Sequence, residues 1–262
     1  MTNGINRRRG VCTSRAKDNP MRDYEREHQD TAERKYAYDF DHILRRFMMQ
    51  SFGPLLPQGK ALELGCYQGE FTQLLTAQYA DLTVVEAAAE LVEFTRNRVG
   101  PGVRFINSTF ETAELTEKYD AIFLVHTLEH LDDPAAVLNK VNSWLSDRGR
   151  LFLAVPNANA PSRQIAVKMG LIPFNSAVTA GEEQHGHRKT YTFDTLERDA
   201  RDGGLSVVSR GGVFFKALAN YQFDKLLDTD IISEGYLEGC YQLGMQYPDL
   251  CASIYLVCAK GG

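Results

Sequence analysis

The sequence has few of the features that mark disulfide-stapled, metal-stapled or membrane-spanning proteins. Its five cysteines are odd in number and form no Cys-x-x-Cys pair, which argues against a zinc knuckle and a disulfide framework and favours a reducing environment. No apolar run reaches the ~20 residues that cross a bilayer, and no repeat of solenoid period is present. We therefore predict a cytoplasmic protein without a membrane span, built at 262 residues as one domain.

An excess of positive charge is also lacking. The net charge of -5 provides no field that would steer the protein onto phosphates, so we predict no nucleic acid partner. One basic tract, Arg7 to Arg9, lies in a polar start without an apolar stretch, which does not fit a signal peptide. We predict that residues 1–22 form a flexible basic tail.

From residue 60 onward, short apolar stretches alternate with helical ones. Strands are predicted at 61–64, 82–85, 103–106, 120–125, 151–155, 205–209 and 253–259. A separate apolar stretch covers 212–218, and one helix is predicted from about 221 to 243. Because strands that alternate with helices form βαβ units, we predict a three-layer α/β fold with a mostly parallel seven-stranded sheet and an antiparallel C-terminal strand.

The turn after the first predicted strand, "LELGCYQGE", nearly spells a nucleotide-binding loop. Gly65 and Gly69 are present, but Tyr67 stands where a G-x-G-x-G loop has its middle glycine. Glu63 lies near the carboxyl end of the strand, where open α/β sheets bind ligands. Glu86 ends the second predicted strand, at the position from which an acidic side chain accepts hydrogen bonds from both ribose hydroxyls.

The same turn distinguishes between two cofactors. A dinucleotide needs glycine at the second and third positions, so that the main chain can approach a pyrophosphate. Here Tyr67 is bulky and Glu70 places an acidic group where phosphates would lie. A zwitterionic amino-acid tail with a sulfonium is not repelled, and Glu63 or a neighbouring carbonyl can accept its ammonium. We therefore predict S-adenosylmethionine as the cofactor, with NAD as the alternative.

Five stretches resemble, in order and spacing, the motifs of the class I S-adenosylmethionine-dependent methyltransferases over about residues 60–157. They are "LELGCYQG", "VVE", "FINSTFE", "YDAIFLVHTLEHLDDP" and "GRLFLAVPN". A further stretch, "HGHRKTYTFDTLERDARDGGLSVV", is similar to the segment after strand five in small-molecule and sugar methyltransferases, including the ubiquinone-type O-methyltransferases. The resemblance implies the Rossmann-like fold of this family.

The resemblance also implies roles for cofactor-binding residues. Glu63, Gly65 and Gly69 would shape the methionine pocket, and Glu86 would hold the ribose. Thr109 and Phe110 would flank the adenine, although many relatives have Asp where this chain has Thr109. Tyr67 would be either a wall of the pocket or a cation–π neighbour of the sulfonium.

Composition, helical periodicity and the resemblance together divide the chain into five segments. We predict the flexible basic tail at 1–22, an N-terminal helical cap at 23–58, the S-adenosylmethionine-binding core at 59–157, an active-site insert at 158–192, and the C-terminal half of the same domain at 193–262.

Histidines are the predicted catalytic residues. Methyl transfer from a sulfonium is an in-line displacement, and a base matters when the acceptor is a hydroxyl that must lose its proton. The candidates are His187, His126, His185 and His130. His126 is a base or a polar pocket wall, His130 is a base or an organiser of its loop, and a solvated loop is the alternative for the other two.

The insert also allows a metal-binding interpretation, because its loop combines carboxylates and imidazoles. The ligands would be Glu182, Glu183, His185 and His187. A polar loop is the commoner explanation, so we predict no metal.

Two further regions are predicted to contact the acceptor. Tyr36 and Tyr38 precede the sheet, where relatives place a lid, and Lys216 and Asn220 lie in "FFKALANYQFDKLL". Ordinary packing of aromatic side chains on the domain is the alternative for both regions.

Taken together, these patterns predict a methyltransferase that acts on a small polar acceptor, with a hydroxyl of a sugar or glycan precursor preferred, in polysaccharide or secondary-metabolite biosynthesis. One alternative is an N-methyltransferase of an amino sugar, an amino acid or another secondary metabolite. Another is a catalytically inert protein that binds S-adenosylmethionine and regulates a partner. A second copy of the chain, giving a homodimer, is an open option.

Overall fold

The structure is a computed structural model that describes residues 38–262. The predicted basic tail, the first part of the predicted helical cap and Tyr36 lie outside the described residues.

A seven-stranded sheet forms the centre of the described chain. Its strands are β1 (Lys60–Leu64), β2 (Asp81–Glu86), β3 (Val103–Asn107), β4 (Tyr119–Val125), β5 (Leu145–Pro156), β6 (Leu205–Phe215) and β7 (Cys251–Lys260). The order across the sheet is β3-β2-β1-β4-β5-β7-β6, and β7 runs antiparallel to both of its neighbours while the other pairs are parallel. The predicted mostly parallel sheet with an antiparallel C-terminal strand is therefore confirmed.

Helices cover both faces of this sheet. They are α1 (Asp39–Phe52), α2 (Glu70–Thr76), α3 (Ala89–Val99), α4 (Pro134–Trp144), α5 (Pro161–Lys168), α6 (Ala180–Gln184), α7 (Phe193–Asp202), α8 (Asn220–Leu227) and α9 (Glu234–Gln246). Short 3-10 turns occur at Gly53–Leu55, Leu128–His130 and Pro248–Leu250. Among the helices that the structure describes, none has both the length and the apolar character needed to cross a bilayer.

Two details of the C-terminal half differ from the sequence prediction. The single helix predicted from about 221 to 243 is two helices, because Ser233 caps α9 by accepting a hydrogen bond from the backbone N–H of Tyr236 (3.2 Å). The apolar stretch at 212–218 is not separate, since its first four residues continue β6. Gly211 lies within that strand, and a Cβ there would come within 2.5 Å of the Tyr255 hydroxyl.

The strands are apolar on both faces, which gives the sheet two hydrophobic layers. Leu62 and Ile122 belong to the layer that includes α4 and α7, whereas Ala61 and Phe123 belong to the layer that includes α1, α8 and α9. Successive strand residues point to opposite faces, so the continuous apolar runs of the sequence follow from burial on both sides.

Helix α1 belongs to the second layer and lies against β6, α8 and α9. The Phe40 ring packs 4.5 Å from Phe223 and 5.1 Å from Phe214, between ring centroids. Phe47 stacks on Tyr241 at 4.8 Å. These contacts hold the start of α1, with Tyr38 just before it, beside the loop that follows β6.

The crossing of α9 over β6 requires a residue without a side chain. A Cβ at Gly244 would lie 3.0 Å from the backbone nitrogen of Phe215 and 2.8 Å from the Cys251 sulfur, whereas a Cβ at Gly239 on the same helix meets nothing within 4 Å. We expect Gly244→Ala to lower the free energy of unfolding by about 1 to 3 kcal/mol through overpacking. Gly239→Ala should raise it by up to about 1 kcal/mol through helix propensity.

Urea denaturation of the two variants and the parent measures both free energies. Equal stabilities of the two variants would show that α9 does not approach β6 as closely as described.

Candidate active site

A cavity of about 620 Å³ opens at the carboxyl ends of β1, β2 and β4. The ends of these strands form its floor, α1 and the loop after β6 form one wall, and the insert between β5 and α7 forms its roof. This edge is where open α/β sheets bind ligands, and the volume is that of a typical small-molecule site.

The turn after β1 keeps the backbone shape of a glycine-rich loop. Gly65, Tyr67 and Gly69 have φ angles of 82°, 46° and 83°, so Tyr67 adopts the left-handed conformation at the position of the missing glycine. The Thr95 hydroxyl donates to the Tyr67 carbonyl (2.9 Å) and helps to hold this conformation. Gly65 and Tyr67 line the cavity, whereas Gly69 is the N-cap of α2 and lies close to Thr95.

Glu86 lies on the cavity floor at the end of β2 and is 9% exposed. Its two carboxylate oxygens accept hydrogen bonds from the backbone N–H groups of Cys66 (3.1 Å) and Ala88 (3.0 Å). Burial raises the pKa of this carboxyl, although the backbone donors favour its ionised form. Each oxygen has a second lone pair, so the carboxylate can still accept the hydroxyls of a ribose.

The predicted adenine residues line the same floor next to Glu86. Phe110 contributes an apolar ring that is nearly buried, together with Leu91 and Leu131. Thr109 is engaged in its own turn, since its hydroxyl is 2.8 Å from that of Thr112 and accepts the Thr112 N–H. The surroundings suit the flat, apolar faces of a purine.

Two ionisable side chains that line the cavity, Glu63 and Arg45, each have one buried atom without a hydrogen-bond partner in the described chain. Glu63 is 2% exposed, the atom is its Oε2, and burial raises its pKa to about 8. Arg45, on α1, is partly exposed, the atom is its Nη1, and its charge favours ionisation of Glu63. Buried polar atoms without partners are costly, so these two atoms indicate that the cavity takes a polar ligand.

Sequence reasoning missed Arg45. It follows Leu44 in an amphipathic helix whose apolar residues predicted packing, and a cation directly beside this apolar stripe, in "ILRRF", was the one signal of another role.

All four predicted histidines line the cavity, but their settings differ. His126 follows β4 with a φ of 51°, and its Nε2 atom lies 2.8 Å from the Ser253 hydroxyl. Burial, and then the charges of Arg45, His187 and Lys216, lower the pKa of His126 to about 3. The ring is therefore neutral at pH 7 and fixed by Ser253.

His187 and His130 meet at the roof of the cavity, with ring centroids 4.6 Å apart in an edge-to-face arrangement. Burial lowers the pKa of His187 to about 4, so its imidazole is neutral at pH 7 and able to accept a proton. His185 lies near it in the same loop, between α6 and α7.

A possible metal-binding cluster consists of Glu129, His130 and His187, each of which offers one ligand atom within 4.8 Å of the others. Glu129 is 2% exposed and burial raises its pKa to about 8, a shift that a cation would reverse. Carboxylate and imidazole ligands suit zinc and similar divalent cations. The prediction that no metal is needed stays a prediction, and this cluster is where one would bind.

The four ligands proposed from the sequence do not form this cluster. Of these four, His187 alone belongs to the cluster with Glu129 and His130, among the residues that the structure describes. Glu182 instead pairs with Arg163 and caps its own helix through the N–H of Thr179 (2.8 Å). The N–H of Arg188 donates to the Glu129 carbonyl (2.8 Å) and so ties the roof to the loop after β4.

The predicted acceptor-side residues Tyr38, Lys216 and Asn220 also line the cavity. The Lys216 ammonium donates to the Asn220 side-chain oxygen, and the Asn220 amide donates to Asp41 (2.9 Å). These contacts join the loop after β6 to the start of α1.

The fold is of the Rossmann type, and the cavity lies at the edge of the sheet where this fold binds ligands. Residues 31–210 match a family described as methyltransferase domain, and the chain belongs to this family. It is a class I S-adenosylmethionine-dependent methyltransferase, and S-adenosylmethionine is its cofactor.

Relatives of established family support this assignment. The chain is 25% identical over 181 residues to the ubiquinone biosynthesis O-methyltransferase of Aeromonas salmonicida. The matched region covers 67% of this chain and 75% of the relative. It is 24% identical over 202 residues to the enzyme of the same name from Sinorhizobium fredii, covering 75% and 80%.

A solved structure shows the same fold. It is a methyltransferase of Thermotoga maritima described as a possible histamine N-methyltransferase, with a TM-score of 0.61, 20% identity, and coverage of 89% of this chain and 99% of the other.

Loss of the Glu86 charge should weaken cofactor binding. Glu86→Gln keeps the shape of the side chain but replaces a charge-assisted acceptor, worth about 1.5 to 3 kcal/mol, so we expect the Kd for S-adenosylmethionine to rise about 10- to 100-fold. Isothermal titration calorimetry measures this. Glu93→Gln, at an exposed position of α3, is the control and should bind as the parent does. Unchanged affinity in Glu86→Gln would remove the proposed ribose contact.

Proposed function

We propose that this methyltransferase moves the methyl group of S-adenosylmethionine to a hydroxyl oxygen of a small polar acceptor. The observation that carries the proposal is the position of the His187 imidazole in the roof of the cavity, above the carboxyl ends of β1, β2 and β4. The O-methyltransferase names of the curated relatives support a hydroxyl as the acceptor. A sugar or glycan precursor as the acceptor stays a prediction.

The floor and the α1 wall would hold the cofactor. Glu86 accepts the ribose hydroxyls, and Phe110 lies against the adenine. Glu63 would accept the ammonium of the methionine part, and Arg45 would donate to its carboxylate, so each ligand charge would meet a buried atom that has no hydrogen-bond partner in the described chain.

The reaction then needs placement and one proton transfer. The acceptor oxygen attacks the methyl carbon from behind, the C–S bond breaks as the O–C bond forms, and the sulfonium becomes the neutral thioether of S-adenosylhomocysteine. The hydroxyl proton would move to His187, whose imidazole burial keeps unprotonated at neutral pH.

A panel of matched small molecules tests this function with isotope-labelled S-adenosylmethionine. The panel pairs neutral compounds with acids and an amine: 1,2-dihydroxybenzene with 3,4-dihydroxybenzoate, and glucose with glucuronate, glucose 6-phosphate and glucosamine. Label on oxygen supports the proposal, and label on the glucosamine nitrogen supports the N-methyltransferase alternative. Cofactor binding without label in any compound of the panel or in a small-molecule cell extract favours the inert alternative.

His187→Ala should separate catalysis from cofactor binding. We expect kcat to fall by about 100-fold or more through loss of the base, while the Kd for S-adenosylmethionine changes by less than about threefold. The control is His42→Ala, at an exposed position of α1, which should leave both constants unchanged. A parent-like kcat in His187→Ala would exclude His187 as the base.

Arg45→Met should weaken cofactor binding because it removes the proposed partner of the methionine carboxylate. We expect the Kd for S-adenosylmethionine to rise about tenfold or more. Its neighbour offers a matched control, since Arg46 is exposed and pairs with Glu234 (2.9 Å), so Arg46→Met should bind as the parent does. Equal affinities in the two variants would show that Arg45 has another role.

A further inference from the structure

We propose that the acceptor is an anion, and that Lys216 binds its carboxylate or phosphate at the wall of the cavity formed by α1 and the loop after β6. The inference rests on the proposed function, because it names the class of acceptor for the same site.

Lys216 is a buried cation with unused hydrogen-bonding capacity. It is 7% exposed, directly follows the last residue of β6 and lines the cavity. An ammonium has three N–H donors. Within residues 38–262, its Nζ atom forms one hydrogen bond, to the Asn220 side-chain oxygen, and lies over the face of the Phe40 ring, 4.9 Å from the centroid. Because a buried charge with unmet donors is unfavourable, the arrangement suits an anionic ligand.

The nearest carboxylates do not occupy these donors. Asp41 accepts hydrogen bonds from the Asn220 amide (2.9 Å) and from the backbone N–H of Tyr38 (2.8 Å). Asp224 accepts the backbone N–H groups of Phe40 (3.0 Å) and Asp39 (3.3 Å). Both side chains therefore serve the start of α1 and act on Lys216 only through longer-range attraction. No carboxylate of the described chain forms an ion pair with it.

The other cations of the cavity have different partners. Arg163 pairs with Glu182 and donates to the Asn175 carbonyl (2.8 Å), and Arg188 pairs with Asp132 (3.3 Å). Arg45 is assigned to the methionine carboxylate of the cofactor. Among the lining Lys and Arg residues of the described chain, Lys216 and Arg45 are the two that form no ion pair, and Lys216 is the one not assigned to the cofactor.

Lys216 also contributes to the field at the centre of the cavity. Its charge and that of Arg45 both lower the pKa of His126, so both cations act on the same part of the cavity. Burial lowers the pKa of Lys216 itself to about 8, which leaves it mostly protonated at pH 7. Next to the Lys216 ammonium, the carboxylate of a hydroxy acid or the phosphate of a sugar phosphate would be attracted.

Binding of the matched compounds to protein saturated with S-adenosylhomocysteine tests the inference by calorimetry. We expect at least one acid to bind about tenfold or more tightly than its neutral counterpart, whether glucuronate, glucose 6-phosphate or 3,4-dihydroxybenzoate. Comparing the affinity for glucuronate with that for glucose 6-phosphate shows whether the site prefers a carboxylate or a phosphate. Lys216→Met should abolish the preference for the acid, and Lys216→Arg should keep part of it.

Lys225→Met is the control, because Lys225 lies at an exposed position of the neighbouring helix α8 and should leave the preference unchanged. S-adenosylhomocysteine affinity and circular dichroism establish that each variant is folded. The inference is overturned if no acid binds better than its neutral counterpart, or if the preference survives in Lys216→Met. It is also overturned if Lys216→Arg abolishes turnover while the preference for the acid stays intact, since Lys216 would then act as a base.

These outcomes are distinct from failure of the proposed function. A protein that binds no S-adenosylhomocysteine, or transfers its label only to nitrogen, contradicts the proposed function. A protein that methylates hydroxyls but treats acids and neutral compounds alike contradicts only this inference.

Discussion

The site depends on two ionisable side chains that each have one buried atom without a hydrogen-bond partner in the described chain. Glu63 and Arg45 are positioned in the cavity by β1 and α1, and each has a buried atom with no hydrogen bond in the described chain. Such groups lower the stability of the protein until a ligand satisfies them. A ligand with an ammonium and a carboxylate, as in the methionine part of the cofactor, fits this pair of charges. Affinity for the cofactor and the stability of the ligand-free protein are therefore linked.

In the turn after β1, a non-glycine residue adopts the left-handed backbone conformation that glycine usually provides. Tyr67 adopts the left-handed conformation, at a cost of about 1 to 3 kcal/mol for a residue with a side chain. The hydrogen bond from Thr95 and the fixed strand and helix on either side keep it there. In return the cavity gains an aromatic wall next to the position of the cofactor. The loss of the middle glycine is thus compatible with an intact binding turn.

The sequence predicted the parts of the site that depend on strand ends. Glu63, Gly65 and Glu86 follow or end predicted strands, and the carboxyl ends of neighbouring parallel strands necessarily meet at one edge of the sheet. Arg45 was not predicted, since it lies in α1 and faces the cavity only after that helix packs against β6, α8 and α9. The cluster of Glu129, His130 and His187 joins segments more than fifty residues apart, and no local pattern reveals that proximity.

By itself the sequence determined the alternation of strands and helices, the edge of the sheet that binds ligands, and the family. These follow from periodicity and turn chemistry, which act over a few neighbouring residues. Only the tertiary structure decided which charges are buried and which have partners. Among residues 38–262, Lys216 forms a single hydrogen bond while Asp41 and Asp224 accept hydrogen bonds at the start of α1. The physical reason is that the desolvation of a side chain and its hydrogen bonds depend on where it lies in the fold, and not on its residue type alone. Segments that are distant in the sequence build that location together.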